Sequence, residues 1–187
     1  EINGAPPEAV KQQVKKVESI SLRNACLYDD GAWALASHME ENTSVETLDV
    51  GYNGITDDGM MALADGISRM KGLKYLKLSG NGFAYDGMRY LSETMKSLPV
   101  IVSVELSANR LGDDSASLLA DVLHHHHCIQ ELYLDSAYIG NTGAEILGKA
   151  LVHNKTLKKL SLSSNRILTY GIDQLCNSLE YNGSVQW

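Results

Sequence analysis

Apolar side chains recur along this chain with one long period and two short ones nested inside it. The segments VESISLRNACL from residue 17, VETLDVGYNGI from 45, LKYLKLSGNGF from 73, IVSVELSANRL from 101, IQELYLDSAYI from 129 and LKKLSLSSNRI from 157 align, each start 28 residues after the last. A seventh start falls at Val185. Counting from each start, position 1 is Val17, Val45, Leu73, Ile101, Ile129 and Leu157. Position 4 is Ile20, Leu48, Leu76, Val104, Leu132 and Leu160, and position 6 is Leu22, Val50, Leu78, Leu106, Leu134 and Leu162. Two-residue spacing of this kind predicts a short strand with one buried face. Position 9 is Asn53, Asn81, Asn109 and Asn165. An amide side chain there can bond backbone as the chain leaves the strand, and stacked repeats would form a ladder of such bonds. Ala25 and Ala137 interrupt the series, so looser turns are expected in repeats one and five.

The second half of each repeat follows the helical period. Position 19 is Leu35, Leu63, Leu91, Leu119, Leu147 and Leu175, and positions 16, 20 and 23 are apolar or small, which makes one buried helical stripe. Asp30, Asp58, Asp86, Asp114 and Thr142 stand where a side chain can cap the first turn. Asn42, Asn154 and Asn182 fit a left-handed helix exit. A single repeat cannot bury its strand and helix faces, but stacked neighbours can. Strands about 4.8 Å apart beside helices about 8 to 10 Å apart force curvature, with strands inside and helices outside. The expectation is therefore an α/β solenoid over residues 17–187. Residues 1–16 are expected to act as a capping segment, with a short helix in PEAVKQQVKK that covers Trp33. VQW begins a seventh strand and stops, which suggests a piece of a longer protein.

The pattern L-x-x-L-x-L-x-x-N-x-L, followed by G-a-x-x-L-a at a 28-residue step, resembles the ribonuclease-inhibitor-like class of leucine-rich repeat proteins. That resemblance implies a right-handed αβ horseshoe, with parallel strands on the concave face and helices on the convex face. It also implies a non-catalytic scaffold that binds a protein partner, commonly through the concave sheet. Within the array, LSGNGFAYDG at 78–87 is similar to the LSxNAFGPxG segment of the GTPase-activating family for Ran, whose Asn helps orient the GTPase's catalytic machinery. Leu78, Ser79, Asn81, Phe83 and Gly87 match, while Ala-Tyr-Asp stands in place of Gly-Pro-x. GTPase activation is thus the alternative function. Three sister repeats carry the same Asn without the rest of the motif, so the repeat itself accounts for Asn81.

Outward positions of the strand half then define a candidate contact surface. Asp49, Tyr52, Tyr75, Lys77, Glu105, Arg110, Tyr133, Asp135 and Tyr138 fall on the concave face or its rim. Tyrosine and arginine are over-represented among residues that dominate interfaces. Small neighbours such as Ser79, Ser107 and Ser163 leave this face shallow, which suits a protein better than a small molecule. Position 18 places Tyr90, Leu118 and Ile146 on a possible convex patch.

Composition narrows the function classes. A net charge of -7 argues against nucleic acid. Lys77, Lys159 and Arg23 on the inner face weaken any lure for a basic nuclease. No apolar run approaches the roughly 20 residues that span a bilayer, so no membrane is expected. Cys26, Cys128 and Cys176 form no C-x-x-C pair, which fits a reducing, cytoplasmic setting, and Cys176 is expected in the core. No phosphate loop, nucleophile elbow or H-E-x-x-H occurs, so neither catalytic residues nor a cofactor is assigned. The run His124 to His127 keeps the repeat frame and falls at a helix end, so no metal site is assigned there either. The triplets NTS at 42, NKT at 154 and NGS at 182 share one repeat position, where helix-exit chemistry explains them.

Overall fold

A computed structural model describes residues 17–39 and 44–185. The strands are β1 (Ser19–Ser21), β2 (Thr47–Asp49), β3 (Tyr75–Lys77), β4 (Ser103–Glu105), β5 (Glu131–Tyr133) and β6 (Lys159–Ser161). They alternate with α1 (Tyr28–His38), α2 (Asp57–Ser68), α3 (Tyr85–Lys96), α4 (Gly112–His125), α5 (Asn141–His153) and α6 (Thr169–Leu179). The strands pair in chain order, all parallel, as one unclosed sheet. Register follows the repeat: Leu48 faces Leu76, Leu76 faces Val104 and Val104 faces Leu132. These four side chains are fully buried and line one interior with the helical leucines Leu63, Leu91, Leu119 and Leu147. The sequence-predicted αβ solenoid is the fold observed. The expected helix at 7–16 and Asn42 lie outside the described residues; Trp33 is exposed.

Polar ladders lock the register between repeats. In the first, each position-9 asparagine serves the repeat before it. Asn53 Oδ1 accepts from the Ala25 amide at 2.8 Å, and Asn81 Oδ1 accepts from the Asn53 and Ile55 amides, each at 3.1 Å. Their Nδ2 groups reach back in the same way: Asn81 donates to Val50 O at 3.1 Å and to its own repeat's Leu78 O at 2.9 Å. Direction matters for the two gaps. Ala25 and Ala137 still have their amides held, by Asn53 and by Asn165 at 3.0 Å, so neither turn is left loose. What Ala137 removes is the support of the repeat before it. At Asn109, Nδ2 bonds Leu78 O and Leu106 O, while Oδ1 is buried without a donor in reach.

A second ladder caps the helices, and it corrects the sequence expectation. None of the helix N-caps makes a side-chain cap bond within its own repeat. The residue expected to cap, at position 14, lies inside the first turn. Position 13 caps the next repeat's helix instead. Asp57 Oδ1 accepts from the amides of Ala84 and Gly87 at 2.7 Å each, Asp113 from Gly140 at 2.6 Å, and Asn141 from Leu168 and Gly171 at 2.9 and 3.2 Å. Each carboxylate sits so close to position 15 that a side chain would collide. A Cβ on Gly87 would lie 2.8 Å from Asp57 Oδ1, and one on Gly143 would lie 2.6 Å from Asp113 Oδ1. Repeat three has Tyr85 at position 13, and the helix it should cap, α4, departs accordingly. There position 15 is Ser115, whose hydroxyl bonds Leu111 O at 2.6 Å, and the helix starts one residue early through Gly112 at φ +67°. Helix α1, with no capping residue from a preceding repeat among the described residues, starts early in the same way through Tyr28 at φ +50°.

A third ladder runs along the helix exits. Asn154 is extended there, not left-handed, with φ -75° and ψ 128°. Its Nδ2 bonds Leu123 O at 2.8 Å, and its Oδ1 accepts from the amides of Thr156 and Leu157. Asn182 repeats this pattern, with Oδ1 accepting from the amides of Ser184 and Val185. His126 substitutes for Asn at the equivalent position: Nε2 pairs with Leu98 O at 2.7 Å and Nδ1 accepts from the Cys128 amide at 3.1 Å. The Asn154 and Asn182 side chains of the two described N-x-S/T triplets are therefore structural. Cys176, expected in the core, is exposed, because no further helix among the described residues covers that face of α6.

Candidate protein-binding surface

Two cross-strand rows make the concave face. Register aligns Ser19, Thr47, Tyr75, Ser103, Glu131 and Lys159 in one row. The other row is Ser21, Asp49, Lys77, Glu105, Tyr133 and Ser161. Strand alternation sends both rows to the same side, opposite the buried leucines. Asp49, Tyr75, Lys77, Glu105 and Tyr133 stand in these rows, and Tyr52, Arg110, Asp135 and Tyr138 on the turns that leave the strands complete the candidate strip.

Within that strip the charges are not equally available. Asp49 Oδ1 accepts from the Gly51 amide at 3.0 Å and lies 3.7 Å from Arg23, so it braces its own turn. Asp135 Oδ1 accepts from the Ser163 amide at 2.7 Å and from the Ser161 hydroxyl. Lys77 and Glu105 pair across adjacent strands at 3.2 Å. Lys159 sits 4.8 Å from the Tyr133 ring centroid, and a hydrogen bond with the Tyr133 hydroxyl is the main reason its pKa is raised. Asp49 and Asp135 thus serve the scaffold, while three of the tyrosines keep much of their surface exposed. Tyr75 is 41% exposed, Tyr52 48% and Tyr138 51%.

Sequence reasoning missed the backbone that carries the rim tyrosines. Position 8 is left-handed in every described repeat, whether it holds Asn24, Tyr52, Gly80, Ala108, Ser136 or Ser164. Tyr52 stands there at φ +59°, and its ring lies across Gly80, where a Cβ would meet Cδ1 at 2.5 Å. The guanidinium of Arg23 stacks over the same ring at 4.5 Å. Tyr138, two positions later in its repeat, stands at φ +62° with Arg166 over it at 4.6 Å. The residue types at position 8 share no chemistry, so nothing in the sequence pattern announced its conformation.

On the convex side the three patch residues differ in their surroundings. Tyr90 lines a groove of about 730 Å³ between α2 and α3 with Met61, Ala64 and Thr94. Leu118 and Ile146 are both half-buried, Leu118 against the core. Asn81 is buried at 8% exposure with both ends of its amide in the first ladder. A side chain held in that way has no atom to offer a GTPase. No helix is long and apolar enough to cross a membrane, among the described residues, and none of them form a cluster suited to a metal ion.

Comparison with known proteins agrees with the repeat pattern. The family model described as Leucine Rich repeat matches residues 41–64, 73–92 and 153–171. A solved tropomodulin C-terminal domain from Caenorhabditis elegans is 15% identical, with a TM-score of 0.67 over 81% of this chain and 92% of that one. A structure described as Leiomodin-1 Actin-Binding Site 2 is 19% identical, with a TM-score of 0.55 over 95% of this chain and 91% of that one. At these identities the likeness is one of fold. No curated protein matches.

Proposed function

We propose that this chain, a leucine-rich repeat protein by fold and by repeat pattern, is a rigid scaffold that captures a protein partner on its concave strip. The observation that carries this reading is the division of labour among side chains. The apolar residues are consumed in stacking, and the acids and amides in the ladders. What remains exposed on one face is a set of tyrosines, Tyr75 on β3 and Tyr52 and Tyr138 on the turns that follow β2 and β5, with Tyr133 half-exposed on β5. An ordered surface of this kind loses little side-chain and loop entropy on binding, so contact energy is retained as affinity. Tyrosine adds large contact area with few rotatable bonds. The chain acts by holding, without bond-making chemistry of its own. Actin is the first partner to try, because one domain of similar fold is described as an actin-binding site.

The test replaces Tyr75 and Tyr133 together with Ala, on β3 and β5, and measures capture of purified actin and of lysate proteins by the immobilised chain. Loss of capture by tenfold or more, about 1.4 kcal/mol, with an unchanged melting temperature, is the expected result. Undiminished capture would move binding off the sheet.

A further inference from the structure

The tyrosines of the concave strip differ in what lies over their rings. Tyr52 has the Arg23 guanidinium 4.5 Å from its centroid and packs against Gly80. Tyr133 has the Lys159 ammonium at 4.8 Å, and Tyr138 has the Arg166 guanidinium at 4.6 Å. Each of these cations belongs to the chain itself, so the π face that it covers is taken. Tyr75 is the exception. Among the described residues no cation and no second ring stacks on it, and it is 41% exposed. Its cross-strand neighbours are Thr47 and Ser103, both short, and Ser103 is buried at 6% exposure. The ring therefore rises above its row with nothing leaning on it from either side. Lys77, two residues along the same strand, is drawn away to Glu105 at 3.2 Å.

The charges around this ring select what covers it. Register places Asp49 on β2 and Glu105 on β4 diagonal to Tyr75. Diagonal neighbours lie about 7 to 8 Å apart, within reach of a long side chain. Lys77 engages Oε1 of Glu105, and Oε2 takes no hydrogen bond among the described residues. A cation over the ring thus meets a negative π face and an acceptor beside it. The whole chain, with 23 acids against 16 bases, attracts such a group and repels an anionic one. A guanidinium suits the place better than an ammonium, because its plane stacks on the ring while its edge donates to a carboxylate. Resting on the reading of this chain as a protein-binding scaffold, we infer that Tyr75 is an open seat for an arginine side chain of the partner protein. That arginine stacks on the ring and donates to Glu105. The chain makes the stacking contact for itself at Tyr52, Tyr133 and Tyr138. At Tyr75 the cation comes from outside.

The experiment is an NMR titration of the chain, labelled with carbon-13 in its tyrosine rings, at constant ionic strength. The probes are N-acetyl-arginine methylamide and its lysine and citrulline counterparts, citrulline keeping the shape of arginine without the charge. Saturable movement of the Tyr75 ring signals is expected with arginine, while those of Tyr52 and Tyr138 move little. Citrulline should bind at least about threefold more weakly, with lysine between the two. Tyr75→Phe should keep the site, whereas Tyr75→Leu, which retains bulk without a π face, should abolish saturation. Glu105→Gln should weaken arginine binding by about threefold. Equal binding of citrulline, saturation that survives in Tyr75→Leu, or equal movement of all the strip rings would overturn the assignment. Partner capture that is lost in the Tyr75→Ala/Tyr133→Ala chain, with the Tyr75 ring unmoved by arginine, sinks the seat and spares the sheet as the partner's surface. Arginine seated on Tyr75 with capture undiminished in that chain keeps the seat and sinks the scaffold reading instead.

Discussion

Asparagine 81 shows how much of this molecule's polarity is spent internally. Its amide takes two backbone N–H donors from the preceding repeat and gives its own N–H groups to two carbonyls. Truncating it would leave these groups buried without partners, each at a cost of roughly 1 to 3 kcal/mol. Asn81→Ala is therefore expected to lower unfolding free energy by about 2 to 4 kcal/mol, read as a reduced urea midpoint. A change below about 0.5 kcal/mol, the usual size for a neutral surface position, would show that the ladder is ornamental. The same geometry explains why the LSGNGFAYDG segment is a rung of the repeat. The structural demand for Asn was legible from its recurrence at one position. Its direction was not, because whether an amide serves its own turn or the one before depends on how repeats stack. At Tyr52 and Tyr138 the left-handed backbone could not be inferred from residue type.

Among the elements, the helices owe their starting points to their neighbours. An acid near the start of each helix was visible in the sequence and suggested capping within the repeat. The structure moves that role one residue back and one repeat forward, from Asp57 on α2 to the amides that open α3. This explains two apparent irregularities together: Tyr85 in place of an acid in repeat three and Ser115 in place of glycine in repeat four. Asp57→Ala should cost about 1 to 2 kcal/mol, the usual range for a lost N-cap. Asp57→Asn should cost less, since Asn141 performs the same task between α5 and α6. Chemical denaturation of the two variants checks this order, and a larger loss with Asn than with Ala would contradict it. Hydrogen exchange at the Ala84 and Gly87 amides should quicken in the Ala variant, since these are the donors left unpaired.

Taken as a whole molecule, the solenoid spends its periodic residues on cohesion. Its interior and its three ladders are periodic, and periodicity is what a sequence displays most openly. The strands, the helices, their order and the buried columns were all legible for that reason. The proposed contact surface is made of positions that differ from repeat to repeat, so it was readable only as a set of outward positions. Grouping those positions left their availability undecided. Asp49 and Asp135 turned inward to brace turns, whereas Tyr52, Tyr75 and Tyr138 stayed open. The central claim is that these exposed tyrosines on the concave strip mark where a partner lies. Hydroxyl-radical footprinting of the chain, free and with captured partner, measures it most directly, since tyrosine rings on every face report their own exposure. The account predicts that oxidation of Tyr52, Tyr75, Tyr133 and Tyr138 falls on binding while Tyr90, Tyr170 and Tyr181 react as before. Protection of Tyr90 on the helical side, with the sheet tyrosines unchanged, would contradict it.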